Sequence, residues 1–312
     1  MRLLVAALLV QLVLGGAFIV LAVNGFPGIG SGDDDPAPAK PRDARAAVPF
    51  VPRANVDRFD EDRAFALIRE QVDRFGPRPA GSEASRRLAD RLRPLLPNGH
   101  FEAVPRGLRN VVGSLPGRFP AIVLGAHYDT AVEVPGYLGA NDGAAGVAAV
   151  VEISRYLRRI HRRAGAPAIR FVLFDGEEAP PGSPPDRFLQ DALRGSRAYA
   201  RAHRGGTREM ILLDYIANSG LRLPHENSST ASLWQSIRAA AGRVGVKVVF
   251  PNRDQETIYD DHTPFLQQRV RAVDLIDFSY PYAHKLTDTP DKLSTRSLDA
   301  VGETVVEYLR HR

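Results

Sequence analysis

The sequence predicts an α/β fold in a single domain, with a mixed, mostly parallel central sheet flanked by helices on both faces. Three observations carry this expectation. Five short runs are predominantly apolar, as strands buried on both sides of a sheet tend to be. Stretches with helical periodicity separate them, which is the alternation of a layered α/β architecture. Ionisable residues gather at the carboxyl ends of the runs, where open α/β sheets carry their functional groups.

The predicted strands are 110–114, 121–126, 168–174, 209–213 and 272–276. An amphipathic helix is expected over 60–74, apolar at Phe65, Ala66, Ile68 and Val72. The turn Gly76-Pro-Arg-Pro-Ala-Gly-Ser82 ends it and leads into a second helix over 83–96. Two further helices are expected at 144–160 and 232–244, the latter holding the only tryptophan, Trp234, as a core residue.

With 312 residues, 44% of them hydrophobic and 25% charged, the chain can bury a sizeable core without staples. It has no cysteine, which excludes disulfides, thiolate metal sites and a cysteine nucleophile. Any metal site must therefore be built from His, Asp and Glu. The net charge of +5 is carried by arginine, because lysine occurs only at Lys40, Lys247, Lys285 and Lys292. The densest basic run, 155–163, falls on a predicted helix and reads as a solvated face. No nucleic-acid partner is expected.

Residues 3–23 are apolar except for Gln11, preceded by Arg2 and followed by Asn24, Gly25 and Pro27. That length approaches the roughly 20 residues a spanning helix needs and exceeds the 7–15 of a signal-peptide core. We expect a signal anchor or signal peptide at 1–24, with Arg2 inside and the acidic residues 33–35 outside. A Gly-, Pro- and Ala-rich linker over 25–54 follows. The catalytic domain at 55–312 is then extracytoplasmic, held to the membrane through the N-terminal segment or secreted if that segment is cleaved.

The chemistry is expected at the strand ends. Run 121–126 stops at His127-Tyr-Asp129, run 168–174 at Asp175-Gly-Glu177-Glu178, and run 209–213 at Asp214. His284 follows the last run after a short loop, and Asp142 precedes the small residues Gly143-Ala-Ala-Gly146. Gathering these groups without a cation would cost several kcal/mol each, so a divalent ion is the economical reading. Zinc accepts imidazole nitrogen and carboxylate oxygen, and one carboxylate can bridge two ions. Asp142 is the natural bridge, with Glu178 and His284 on one ion and His127 and Asp214 on the other. Asp129 would orient the His127 imidazole. Glu177, beside a ligand, can serve as general acid and base.

Assembled, these residues resemble the zinc exopeptidase family that contains the bacterial leucyl-type aminopeptidases and the glutaminyl-peptide cyclotransferases. The matching pieces are Gly76-Pro-Arg78 with Gly81-Ser82, Ala126-His-Tyr-Asp-Thr130, Gly139-Ala-Asn-Asp-Gly-Ala144, Phe174-Asp-Gly-Glu-Glu-Ala179, Leu213-Asp-Tyr-Ile216 and His284-Lys-Leu-Thr-Asp-Thr289. The resemblance implies the zinc aminopeptidase, or phosphorylase–hydrolase-like, fold. It makes Asp142, Glu178 and His284 ligands of a primary zinc and Glu177 the acid/base. In the aminopeptidase branch His127 and Asp214 hold a second zinc; in the animal cyclotransferases one zinc is usual, so one or two ions are expected.

Two features lean toward cyclotransferase. The Pro-rich stretch after Ala179 leading to Asp191-Ala-Leu-Arg-Gly-Ser-Arg197 is similar to the cyclases' insertion, and Ile258-Tyr-Asp-Asp-His-Thr-Pro-Phe-Leu266 is similar to their Asp-Asp-His-x-Pro-Phe-Leu. By that match Asp260 pairs with Asp214 to handle protons. The chain departs from the cyclases at Ala283, where they carry Trp, and at Lys285, where they carry Thr; Tyr280 and Tyr282 are the aromatic replacements nearby. The expected substrate is the free N-terminus of a peptide. Cyclisation of N-terminal glutamine is the preferred reaction, aminopeptidase activity the alternative, and a binding domain without activity a third reading.

Overall fold

The computed structural model describes residues 49–312. The N-terminal apolar segment and most of the linker lie outside the described residues. Among the described residues, no helix is long and apolar enough to cross a membrane.

Helix α1 (Glu61–Phe75) starts where the Asp60 side chain accepts the Arg63 amide, and stops at Gly76, whose φ of 61° suits glycine. Ser82 caps α2 (Glu83–Leu92) in the same way. Sequence periodicity had suggested that α2 runs to residue 96, but it tightens into a 3-10 turn over Arg93–Leu95. Pro94 is the reason, since its ring has no N–H to continue the ladder.

Strands β1 (His100–Val104), β2 (Leu108–Leu115), β3 (Arg118–His127), β4 (Pro167–Phe174) and β5 (Thr207–Asp214) follow, with β6 (His225–Glu226), β7 (Asp254–Gln255) and β8 (Arg271–Ile276) later in the chain. Six of them form one sheet in the order β1-β2-β4-β3-β5-β8. β3, β4, β5 and β8 run parallel, and β1 and β2 join antiparallel at one edge. The carboxyl ends of all four parallel strands therefore lie at one end of the domain.

The sheet is covered on both faces. Ile122, Leu124 and Ala126 of β3 face the larger core, against α1, α3 (Gly146–Arg159), α6 (Ala231–Arg243) and α8 (Thr295–Arg310). Val123 faces the smaller core with Tyr199 and Ala200 of α5 (Arg194–His203) and Phe265 of α7 (Thr263–Gln267). A single turn, α4 (Phe188–Asp191), lies in the stretch before α5. Trp234 is buried in the larger core, as expected.

Helix α8 was absent from the sequence expectation. Its polar residues Asp299, Glu303 and Glu307 are buried because they hold the first described segment: Asp299 accepts the Ala54 amide at 2.7 Å, Glu303 the Phe59 amide at 2.7 Å, and Glu307 pairs with Arg58 at 2.6 Å. Those acids conceal the apolar stripe from a reader of periodicity.

One close approach ties helix to sheet. A Cβ built on Gly146 would lie 2.2 Å from the Leu213 carbonyl oxygen of β5. Replacing Gly146 with Ala should cost about 1–3 kcal/mol of stability through overpacking. Thermal unfolding checks this; an unchanged melting temperature would show that α3 can back away from β5.

Candidate metal centre at the carboxyl ends of the strands

His127 is the last residue of β3 and Asp214 the last of β5. Asp142 lies in an irregular turn, Ala140–Ala145, before α3. The helix expected to begin at residue 144 begins instead at Gly146, because Asp142 (ψ 99°) and Gly143 (φ 82°) leave helical geometry. The departure brings backbone against the site: a Cβ on Gly143 would come 3.0 Å from the His127 ring.

His127 Nε2 stands 3.0 Å from Asp142 Oδ1 and 3.5 Å from Asp214 Oδ1. His284 Nε2 stands 3.4 Å from Asp142 Oδ2 and 3.7 Å from Glu178 Oε1. Two groups thus form, His127 with Asp142 and Asp214, and Asp142 with Glu178 and His284, each with its donor atoms within 4.8 Å of one another. Asp142 belongs to both. Tetrahedral coordination at about 2.1 Å asks for donor atoms roughly 3.4 Å apart, so small side-chain movements would close either group on an ion.

The supports are more extensive than the sequence disclosed. Tyr137 and Tyr215 both donate to Asp142 Oδ2, at 2.8 and 2.7 Å. Asp288 accepts the Asn141 amide at 3.0 Å, the Asp142 amide at 3.2 Å and the Tyr280 hydroxyl at 2.7 Å. Arg78, fully buried, donates to the carbonyls of Tyr128, Leu138 and Gly139 at 3.0, 2.5 and 2.9 Å, binding the His127 strand end to the Asp142 turn. Arg78 and Asp288 stand in motifs already singled out, but what they hold depends on distant backbone that no local pattern reveals. Tyr137 lies in an irregular loop and carried no signal.

Asp129 does something other than expected. Its oxygens accept the amides of Glu177 and Glu178 at 3.1 and 3.2 Å. It lies 3.7 Å from His127 Nδ1, too far for a hydrogen bond, and that nitrogen has no partner among the described residues. Asp129 therefore fixes the turn that aims Glu177 and Glu178.

The electrostatics favour added positive charge. Burial, reinforced by the neighbouring carboxylate, pushes Glu177 well above the usual carboxylate range, and burial with the charge of Asp142 does the same to Glu178. Burial lifts Asp214 to about 7, against the pull of His127, and the charge of Asp260 adds to the rise. Asp142 is buried too, yet hydrogen bonds from His127 and His284 hold it well below its ordinary value. His284 is raised to about 10, first by its hydrogen bond to Asp142. The donor set is wholly nitrogen and oxygen, and Glu178 Oε1 is buried without a hydrogen-bond partner, so a zinc ion fits the residues present.

Asp260 is buried and its charge acts on Asp214 and Asp274; Asp274 belongs to a further cluster that the sequence reading did not assign. His262 Nε2 lies 3.2 Å from Glu226 Oε2 and its Nδ1 lies 3.8 Å from Asp274 Oδ2.

Residues 110–309 match the family model of peptidase family M28. The chain belongs to this family. Among its relatives is a glutaminyl-peptide cyclotransferase-like protein of Mus musculus, 27% identical over 236 residues, an alignment covering 66% of this chain and 61% of that one. In three dimensions the chain is similar to a glutaminyl cyclase from an Acidobacteriales bacterium, with a TM-score of 0.71 and 26% identity over 90% of this chain and 98% of that one. It is equally similar to a leucine aminopeptidase precursor from Bacteroides thetaiotaomicron, with a TM-score of 0.72 and 27% identity over 83% of this chain and 99% of that one. As an M28 protein the chain is an enzyme, and both branches of the expected family stand among its neighbours.

The pKa pattern dictates a pH dependence. Glu177, Glu178 and Asp214 are raised in the folded, metal-free chain. Their protonation stabilises the fold fully below the unfolded carboxylate pKa of about 4; the contribution of Asp214 is lost as pH rises through about 7, and those of Glu177 and Glu178 as pH rises through their own raised values. His284, raised to about 10, acts in the same direction, and the lowered Asp142 in the opposite one. Zinc can replace those protons, so the increase in melting temperature on adding zinc to chelator-treated protein should be larger near pH 8 than near pH 5. Scanning fluorimetry reads it, and an increase independent of pH would remove the cluster as the zinc site.

Proposed function

We propose that this M28 enzyme is a zinc-dependent glutaminyl-peptide cyclotransferase, converting an N-terminal glutamine to pyroglutamate with release of ammonia. The observation that carries the reading is the buried acid group around Glu177. Glu177 and Asp214 are both buried, and the charge of buried Asp260, carried by the cyclase-like Asp-Asp-His segment, acts on each of them. The glutaminyl cyclases among the relatives support it.

In this reading Asp142, Glu178 and His284 hold the ion, and zinc bound there would polarise the γ-amide carbonyl of the substrate. Glu177 takes a proton from the α-amine, and the amine nitrogen bonds to the γ-carbonyl carbon. The bond from that carbon to the amide nitrogen then breaks, and Glu177 returns the proton so that ammonia leaves. The raised pKa of Glu177 suits a group that must both accept and donate. Asp260, whose charge adds to the rise of Asp214, pairs with it in this reading to handle protons. Tyr280 has its hydroxyl committed to Asp288, which leaves half-buried Tyr282, beside Ala283, as the aromatic available to the substrate side chain.

Aminopeptidase activity is the second reading. It is favoured by the second donor group, His127 with Asp214, which shares Asp142 and could hold another ion.

The deciding assay compares ammonia release from glutaminyl dipeptides with cleavage of a leucyl arylamide by the zinc-loaded chain. Cyclisation without cleavage is expected, and cleavage alone would overturn the proposal. Replacing Glu177 with Gln should lower kcat by about 10²–10⁴-fold while zinc binding, read by calorimetry, persists.

We also infer that residues 3–23 carry the enzyme across a membrane, their apolar length being the support. Protease accessibility of the folded domain in intact cells is the expected result, and protection would argue against export.

A further inference from the structure

The end of the domain opposite the metal centre carries a concentration of unpaired arginines. Arg118 begins β3 beside an open groove of about 520 Å³, which Arg158, His161, Arg162 and Arg163 also line. Only part of the basic run 155–163 is on a helix as expected: α3 ends at Arg159, and the rest forms the loop at the foot of β4. Arg204 and Arg208 extend the basic surface along the start of β5. Arg118, Arg158, Arg163, Arg204 and Arg208 are exposed, and none has a carboxylate partner among the described residues.

Carboxylates at this end are already engaged. Glu102 lies 2.8 Å from His203 and 4.0 Å from Arg170, and buried Glu209 lies 3.6 Å from Arg271 and 3.9 Å from Arg312. In the middle of the surface Phe119 is 61% exposed, with the Arg170 guanidinium 5.7 Å from its ring. The opposite end holds the carboxylates of the metal centre, so the charge of the domain is polarised along the strands.

We infer that this basic end is a docking surface for an anionic lipid bilayer. Charge complementarity supports a polyanionic partner. An exposed aromatic among arginines suits the headgroup region, where the ring meets acyl chains and the guanidinium groups meet phosphates. A single exposed ring offers no succession of stacking platforms for unpaired nucleic-acid bases, which disfavours that alternative. Docking by this end leaves the carboxyl ends of the strands, and with them Glu177 and Asp142, facing away from the bilayer toward peptides. The surface belongs to the folded domain, so the inference stands apart from the reaction proposed above.

The absence of cysteine makes a clean test possible. The full chain is labelled with a fluorophore at Ala164→Cys, in the basic loop, or at Asp186→Cys, in the exposed turn Pro185–Arg187 at the catalytic end. It is mixed with phosphatidylcholine vesicles, or with vesicles also containing phosphatidylglycerol, both carrying a headgroup quencher. We expect quenching at position 164 to exceed that at 186 on the order of tenfold in the anionic vesicles only, and to be lost in about 0.5 M salt, where screening is nearly complete. Serine at Arg118, Arg158 and Arg163 should weaken anionic-vesicle binding about fivefold per residue, with zinc-dependent melting unchanged as evidence of folding. Equal quenching in neutral and anionic vesicles, stronger quenching at position 186, or a label that responds to duplex DNA and not to phosphatidylglycerol would each overturn the inference. The salt arm uses no charge variant and decides the matter even if the triple substitution fails to fold.

Discussion

The buried carboxylate of Asp142 is the constraint on which the rest of the site depends. Oδ1 faces His127, while Oδ2 accepts two tyrosine hydroxyls and faces His284. A charge in that position would cost several kcal/mol if left uncompensated, so everything that touches it must agree. The loss of helical geometry at Gly143, the Asp288 acceptor under the turn and the Arg78 clamp all serve to hold this one group. None is needed to build the sheet, but each is needed to put a carboxylate between two imidazoles.

The sheet translates this local requirement into function. Four parallel strands end together, so residues far apart in sequence, His127, Glu178, Asp214 and His284, reach one pocket without any element having to bend far. The same parallel arrangement gathers the opposite strand ends, where arginine dominates. One topology thus produces both an electron-rich pocket that attracts a cation and a basic end that does not compete for it.

Much of this was legible because burial on both faces leaves an unambiguous mark. The cores of β3, β4, β5 and β8 read as predominantly apolar runs, interrupted only by Arg170 in β4 and Asp274 in β8, and an ionisable residue at the end of such a run is conspicuous: His127, Asp214 and the Glu177–Glu178 pair were found that way. β1 escaped because an edge strand with His100 and Glu102 half in water has no continuous apolar run. α8 escaped because its buried acids hold the segment around Ala54 and Phe59. The supports of the site were the least visible. Asp129 was in view, but its acceptance of two amides nearly fifty residues away is a tertiary fact. Tyr137 was hidden for the same reason, and so was the cluster of His262 with Glu226 and Asp274.

The central claim, that the converging carboxylates and imidazoles exist to hold zinc through Asp142, is tested most directly by anomalous diffraction at the zinc absorption edge from crystals of the metal-loaded chain. The account predicts a peak about 2.0–2.2 Å from oxygens of Asp142 and Glu178 and from a nitrogen of His284. A second, weaker peak between His127 and Asp214 is compatible with it. Ordered side chains with no anomalous peak among them, or zinc bound only elsewhere, would contradict it.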